Sequence, residues 1–303
     1  MLVLNKFNHY IEFLSKIKEE TEPLTNGQDR ILTYLSKEIV DGKRVTEVLL
    51  LQQLFKGPVN KAEFQRDMNE KKYYMSDETM RSIIRMFTLE FYTMQKTEKY
   101  KYPLIEIRGE NIYLTKEFRS SLKDEYFRKK VEDVLELAIL NSNEYDQSVQ
   151  LTINEKYSRA DVCRILNWEK DETSTIYGYK NKHNTTPIFV NYNKNDDIDE
   201  SVRYDDRFLD SHIFQWYTRK GTDLTSKINR EIIEDYESDD TVIHLFVKRD
   251  DEGVYHYYMG EVGIDLKSTE NASIGLMDNK HKVAKMNFIL EHPVDYNMYR
   301  FRW

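Results

Sequence analysis

The sequence predicts an α+β chain in two parts: an N-terminal helical domain, winged-helix-like in its order, and then a small, curved, partly closed β-barrel with one or two helices. Three observations lead there. Apolar residues recur at helical spacing through most of residues 1–145. From Thr173 onward the pattern changes to short runs rich in Val, Ile, Phe and Tyr, about six in all, separated by turn residues. Between the two lies the polar run NSNEYDQ, Asn141 to Gln147, which marks a boundary and gives domains of 1–145 and 150–303.

At 303 residues, with 40% hydrophobic and 32% charged side chains, the chain has material for two folded cores. Its 22 Tyr, 14 Phe and 3 Trp supply both cores and binding surfaces. No apolar run approaches the roughly 20 residues that span a bilayer. The first residues, MLVLNKFNHYIEFLSKIKEE, carry charges every few positions and lack the apolar core of a signal peptide. The lone Cys163, between Val162 and Ile165, reads as a packed thiol and excludes an intrachain disulfide framework. Together these predict a cytoplasmic protein without membrane partners. The formal charge of -8 argues against a generic DNA-coating protein. Residues 1–150 carry 24 basic and 25 acidic side chains and the remainder 21 and 28, so any nucleic-acid contact must come from a local patch.

In the first half, ILTYLSKEIV reads as a helix after the loop TEPLTNGQ, and VTEVLLLQQLF as an apolar helix stopped by Lys56-Gly57-Pro58. NKAEFQRDMNEK follows as a short helix. SDETMRSIIRMFTLEFYTM then has Ser76 as N-cap, acids in its first turn, and Met80, Ile83, Ile84, Phe87 and Phe91 on one face. YPLIEIRGENIYLT alternates about the turn Arg108–Asn111. Three helices and a hairpin is the order of a winged helix, a module that either reads DNA or docks proteins. The near-neutral charge favours docking over reading, although Arg81 and Arg85 lie off the apolar face. DEYFRKKVEDVLELAIL closes the domain.

In the second half, Ser158 and Asp161 make a capping-box-like start to YSRADVCRILNW. Strands are expected in TIYGYK, TPIFVNY, HIFQWYT, TVIHLFVKR, VYHYYMGEVGI and AKMNFILEHPV, with a helix in DLTSKINREIIEDYE and a long polar connection around Lys267–Lys282. The chemistry concentrates between Thr175 and Lys227. There Tyr177/Tyr179 and Phe214/Trp216/Tyr217 flank Ile188-Phe189-Val190, and Arg219, Lys220, Thr222, Thr225, Ser226 and Lys227 follow. Aromatic faces beside cations and hydroxyls suit a base with its phosphates. Alternation puts Phe214 and Trp216 on one face with Tyr217 on the other, and puts Tyr177 and Tyr179 on a common face. Core packing is the competing reading for each ring, and a solvated loop for the acidic run from Asp196 to Asp206.

The string YSRADVCRILNWEKDETSTIYGYK, IFVNY, RYDDRF, FQWYTRK and LFVKRDDEGVYHYYMGEV resembles the C-terminal domain of bacterial proteins in which a phospholipase-D-type nuclease and a superfamily-two helicase motor come first, SauUSI-type restriction enzymes among them. The resemblance covers residues 155–300. It implies an SRA-like, PUA-like barrel that flips 5-methylcytosine, or 5-hydroxymethylcytosine, out of duplex DNA, with Tyr192, Asp196, Tyr217 and Thr218 facing the base. Extruding a base costs a few kcal/mol, and stacking on one ring returns about 1–3 kcal/mol. A sandwich between Tyr177 or Tyr179 and Trp216 or Tyr217, beside Phe214, would therefore roughly balance the cost. Asp206 or Asp196 would accept from the cytosine amino group, and Arg219, Lys220, Thr225, Ser226 and Lys227 would hold phosphates. The cytosine methyl is worth only about 0.8 kcal/mol if buried.

No phosphate loop, phospholipase-D motif, zinc spacing or nucleophile elbow occurs in the sequence. The expectation is a binding module without catalytic residues, metal or cofactor of its own. Under the resemblance it is the specificity part of an ATP-dependent type IV restriction enzyme acting in phage defence, with ATP and Mg²⁺ used by upstream helicase and nuclease domains of the same polypeptide. Two rivals stand beside it: a protein-docking module whose aromatics are core, and an intrinsic Mg²⁺-dependent nuclease using second-half carboxylates and Lys248.

Overall fold

A computed structural model describes residues 6–191, 206–248, 253–275 and 280–294. The chain divides into two compact units, Met1–Gln150 with Glu169–Asp171, and Leu151–Trp168 with Glu172–Trp303.

The first unit is built from helices α1 (Tyr10–Lys16), α2 (Asn26–Glu38), α3 (Val45–Leu54), α4 (Lys61–Glu70), α5 (Asp77–Phe87), α6 (Met94–Tyr100), α7 (Lys116–Ser121) and α8 (Glu125–Ser142), with strands β1 (Val59–Asn60), β2 (Ile105–Arg108) and β3 (Asn111–Leu114). The order α3-β1-α4-α5-β2-β3, with an antiparallel sheet running β1-β3-β2, is the winged-helix arrangement. The two-residue strand β1 is too short to show a period in the sequence. Thr25 and Gln28 form a reciprocal capping box, so Asn26-Gly27-Gln28 opens α2 where a loop was expected. Ser76 caps α5 by accepting from the Thr79 N–H at 3.1 Å, and Met80, Ile83, Met86 and Phe87 are its buried face. That helix stops at Phe87, earlier than its apolar spacing suggests. Leu89 turns left-handed at φ 67, and the remainder restarts as α6 under a Thr93 cap. The exposed face of α5 carries Asp77, Glu78 and an Arg81 tied to Glu78 at 2.5 Å. Two carboxylates and a neutralised arginine do not suit a phosphate-lined groove.

The second unit contains β4 (Lys156–Ser158), α9 (Arg159–Ile165), a 3₁₀ turn (Thr173–Thr175), β5 (Thr185–Asn191), β6 (Arg207–Phe208), β7 (Ile213–Tyr217), α10 (Lys227–Glu237), β8 (Val242–Lys248), β9 (Tyr255–Ile274) and β10 (His281–Leu290). The sheet runs β5-β8-β9-β10-β7-β6, with β4 added to β9; β5 and β8 are parallel and the other pairs antiparallel. It curls into a half-barrel, and two irregularities accompany the curl. Pairing of β8 with β9 slips at Met259-Gly260, where the glycine takes φ 106. Pairing of β9 with β10 skips Leu266–Thr269, and the Ser268 hydroxyl accepts the Asn287 N–H instead. The polar connection expected around Lys267–Lys282 is thus strand as far as Ile274. It hid because a ribbon polar on both faces shows no alternation.

Alternation along the strands gives this sheet two buried faces. On the inner face Ile188, Val190, Leu245, Val262, Met286, Phe288, Phe214 and Trp216 pack with Ile232 of α10. On the outer face Tyr157, Phe189, His244, Phe246, His256 and Tyr258 form a layer of rings. Ser158 and Asp161 complete the capping box of α9, and Trp168 donates to Thr185 Oγ1 at 2.9 Å. Cys163 is a buried free thiol, as its position implied. Among the described residues no helix is long and apolar enough to cross a membrane.

Two tests follow from this packing. A Cβ on Gly42, which sits at φ 67, would fall 2.2 Å from the Ala138 carbonyl oxygen of α8. Gly42→Ala should therefore cost more than about 2 kcal/mol in urea unfolding, and an unchanged midpoint would contradict this close approach. Burial pushes the His244 imidazole down to about 4. An unfolded His binds its proton near pH 6.5, so between those values the unfolded chain holds the extra proton and stability falls on acidification. The loss should reach about 3 kcal/mol by pH 4, and the urea midpoint of His244→Gln should fall less between pH 7 and pH 4.5.

Candidate nucleic-acid interface

The segment 177–182 lies antiparallel beside the edge strand β5, with Tyr179 opposite Ile188 and the Phe189 N–H donating to the Gly178 carbonyl at 2.7 Å. Gly178 takes φ 90, which breaks the extended run, so Tyr177 and Tyr179 do not share a face. Tyr177 is 68% exposed, whereas Tyr179 is 3% exposed.

The Tyr179 ring meets Trp216 edge-on at 4.9 Å, and Trp216 stacks on Phe288 at 5.2 Å. The Tyr179 hydroxyl donates to Asn229 Oδ1 at 2.8 Å, and Asn229 Nδ2 donates to the Asp223 carbonyl. Burial raises the Tyr179 pKa against the opposing pull of Thr222 and Arg219, which keeps the hydroxyl a neutral donor. Tyr179, Phe214 and Trp216 are accordingly core residues, and the expected sandwich around a base is here a contact between protein rings. The reason is alternation: β7 directs Phe214, Trp216 and Thr218 inward together. Tyr217 turns to the other face, where Gln215 Nε2 donates to its hydroxyl at 3.2 Å.

Other expected ligands are also committed elsewhere. Thr218 is buried; its hydroxyl donates to the Thr222 carbonyl at 2.6 Å and accepts from the Ala284 N–H at 2.8 Å, closing the end of β7 onto β10. Asp206 Oδ1 accepts the Tyr217 N–H at 2.8 Å and so anchors that strand. The Thr225 and Ser226 hydroxyls both bond Asp223 in the turn that opens α10, which leaves a carboxylate where phosphate contacts were expected. Lys227 is exposed and lies 3.5 Å from Glu231. Lys220 is half-buried. Tyr192 and Asp196 lie outside the described residues.

What the fold does bring together is smaller. The Arg219 guanidinium lies over the Tyr179 ring, 5.3 Å from its centroid, and the exposed Tyr177 stands two residues along the same segment. Lys180 and Lys182 both bind Glu172, which ties down both ammonium groups and offsets one of their two charges. Arg219 forms no ion pair with a carboxylate among the described residues. The fold thus leaves Tyr177 as an open aromatic face and holds Arg219 over the ring of Tyr179; an exposed ring suits a planar base and a guanidinium a phosphate. Asn229, buried at the heart of this support, was missed by the sequence reading; the signal was an amide on the apolar side of an amphipathic helix.

Residues 1–147 match the model of a family described as a domain of unknown function, DUF8090, and residues 151–301 match another, DUF3427. No curated protein matches the chain. Among solved structures it is similar to the DNA recognition domain of the cytosine modification-dependent restriction endonuclease LpnPI, at 14% identity over 46% of this chain and 74% of that one, with a TM-score of 0.30. It is similar also to the MspJI restriction endonuclease in complex with a 27-mer oligonucleotide, at 13% identity over 35% of this chain and 28% of that one, TM-score 0.28. A third is Arabidopsis thaliana SUVH6 in complex with SAM, at 13% identity over 75% of this chain and 40% of that one, TM-score 0.29.

The division between supporting rings and exposed ring is measurable. Trp216→Ala should lose about 3–5 kcal/mol of stability, and Tyr179→Phe about 1–3 kcal/mol because Asn229 Oδ1 loses its donor. Tyr177→Ala should stay within about 0.5 kcal/mol of the parent. Thermal and urea unfolding of the three variants checks the order, and a large loss in Tyr177→Ala would place that ring in the core.

Proposed function

We propose that residues 150–303 form a DNA recognition module that reads modified cytosine in duplex DNA, and that the base is turned out of the stack onto the exposed ring of Tyr177, with Arg219 supplying charge. The observation that carries this reading is a single segment that holds an open tyrosine face, Tyr177, and the buried ring, Tyr179, over which Arg219 lies. The sequence resemblance of residues 155–300 to SRA-like domains supports it independently.

The energetics differ from a two-ring clamp. One ring returns about 1–3 kcal/mol by stacking, against a few kcal/mol to extrude the base. The shortfall falls to charge-assisted contacts, with Arg219 the first candidate. A methyl group contributes about 0.8 kcal/mol, so discrimination needs a close fit around it as well. The module has a targeting role: the cutting chemistry belongs to nuclease and ATP-driven helicase domains of a larger restriction enzyme. The acidic face of α5 favours protein docking as the role of the first unit.

Fluorescence anisotropy with duplexes that differ only in the cytosine 5-methyl group tests the proposal. The modified duplex should bind more tightly, and Tyr177→Ala should weaken that binding by about thirtyfold, the middle of the stacking range. Equal affinity of the parent chain for both duplexes would defeat the reading. Cleavage of either duplex on adding Mg²⁺ would favour an intrinsic nuclease.

A further inference from the structure

The outer face of the half-barrel holds a second cluster, at the end of the sheet where β5 and β8 finish and β9 begins. Arg159 opens α9, and its guanidinium lies 5.3 Å from the centroid of Phe189. Phe189 stacks on Phe246 at 4.9 Å and meets His256 edge-on at 5.1 Å. Lys248 follows Phe246 by two residues, on the same face, and donates to the Gly253 carbonyl at 2.6 Å.

The groups in this cluster are poorly compensated. Arg159 Nε is shut away from water with no hydrogen-bond partner. Burial lowers the guanidinium's pKa, and no carboxylate offsets it. His256 is 2% exposed, and among the described residues neither of its ring nitrogens makes a well-formed hydrogen bond, the Val254 backbone being its nearest polar neighbour. Its pKa is pushed down to about 3, first by burial and then by Lys248 and Arg159, with the Val254 backbone opposing weakly. Neither Arg159 nor Lys248 forms an ion pair among the described residues. A half-buried guanidinium and a neighbouring ammonium with no ion-pair partner among the described residues repel one another, and an anion lodged between them would reverse the sign of the interaction.

We propose that Arg159, Lys248 and His256 form a phosphate site on this outer face, and that its occupant is a phosphodiester of the DNA backbone. The site rests on the DNA-binding reading above and extends it. A phosphodiester offers one negative charge and several acceptor oxygens; the Arg159 fork and the Lys248 ammonium supply charge-assisted donors. A neutral His256 supplies one N–H. The DNA backbone is favoured over a free phosphate by position. The Phe189 N–H donates to the carbonyl of Gly178, the neighbour of Tyr177, so one strand edge carries the exposed ring and the ring that supports Arg159.

The test uses the full chain with a methylated and an unmethylated duplex, titrated across a series of salt concentrations. Arg159→Gln and Lys248→Gln should each weaken both duplexes by roughly fivefold and reduce the slope of log K against log salt, by about 0.9 in total when both are changed. The ratio between the two duplexes should stay unchanged. Failure of the base-reading proposal would show in that ratio, whereas failure of this one shows in the slope. Arg159→Lys keeps the charge and should recover most of the slope, and Lys248→Gln serves independently if Arg159→Gln fails to fold. Inorganic phosphate, followed by the His256 ring resonances, separates the two sources. A response abolished by Arg159→Gln, with the duplex slope unaltered, would overturn the DNA backbone as occupant in favour of a free phosphate. No change in slope and no response to phosphate would overturn the site.

Discussion

The second unit depends on the packing of Trp216 between the edge of Tyr179 and the face of Phe288. That contact joins three pieces of chain distant in sequence: the segment beside β5, the strand β7 and the long strand β10. Through the Tyr179 hydroxyl and Asn229 it also reaches α10. Aromatic pairs of this geometry add about 0.5–1.5 kcal/mol beyond the area they bury. Their larger effect here is positional, because Tyr179 cannot be held without also placing Arg219 above it and Tyr177 outside it.

The interface is thus a surface resting on a core, with different side chains assigned to each. Rings deep in the barrel give rigidity, and among the described residues Tyr177 is the ring of this segment left exposed. This matters for recognition, since a stacking platform contributes its full energy only when no side chain has to be ordered on binding. The outer layer obeys the same logic in reverse. There Phe189 stacks on Phe246 and carries the Arg159 guanidinium, which forms no ion pair among the described residues.

Much of this was legible because period carries burial. Phe214 and Trp216 two apart, with Tyr217 between faces, read correctly from alternation, and Ser158 with Asp161 read correctly as a capping box. Tyr177 and Tyr179 read wrongly because a glycine between them takes φ 90, and nothing in a period of two records a reversal. The Thr225 and Ser226 hydroxyls looked available because their partner, Asp223, is a turn residue whose side chain folds back onto its neighbours. Strand β9 was longer than its apolar part, since pairing with β10 needs only backbone groups once the ribbon leaves the core.

By itself the sequence determined the class of fold, most of the longer helices and strands, and the stretch where aromatic and basic residues gather, whereas the short strands β1, β4 and β6 carry no period and the strand expected at TIYGYK forms only isolated bridges; hydrophobic spacing and cap chemistry are local, and local rules suffice for the longer elements. Only the tertiary structure decided which gathered residues remain outside. Whether a tyrosine is core or platform depends on what packs on its other side, and for Tyr179 that neighbour lies 37 residues along the chain at Trp216. The pairing of Arg159 with Phe189 and His256 was likewise invisible, because three separate segments meet there and none carries a local signal of the others.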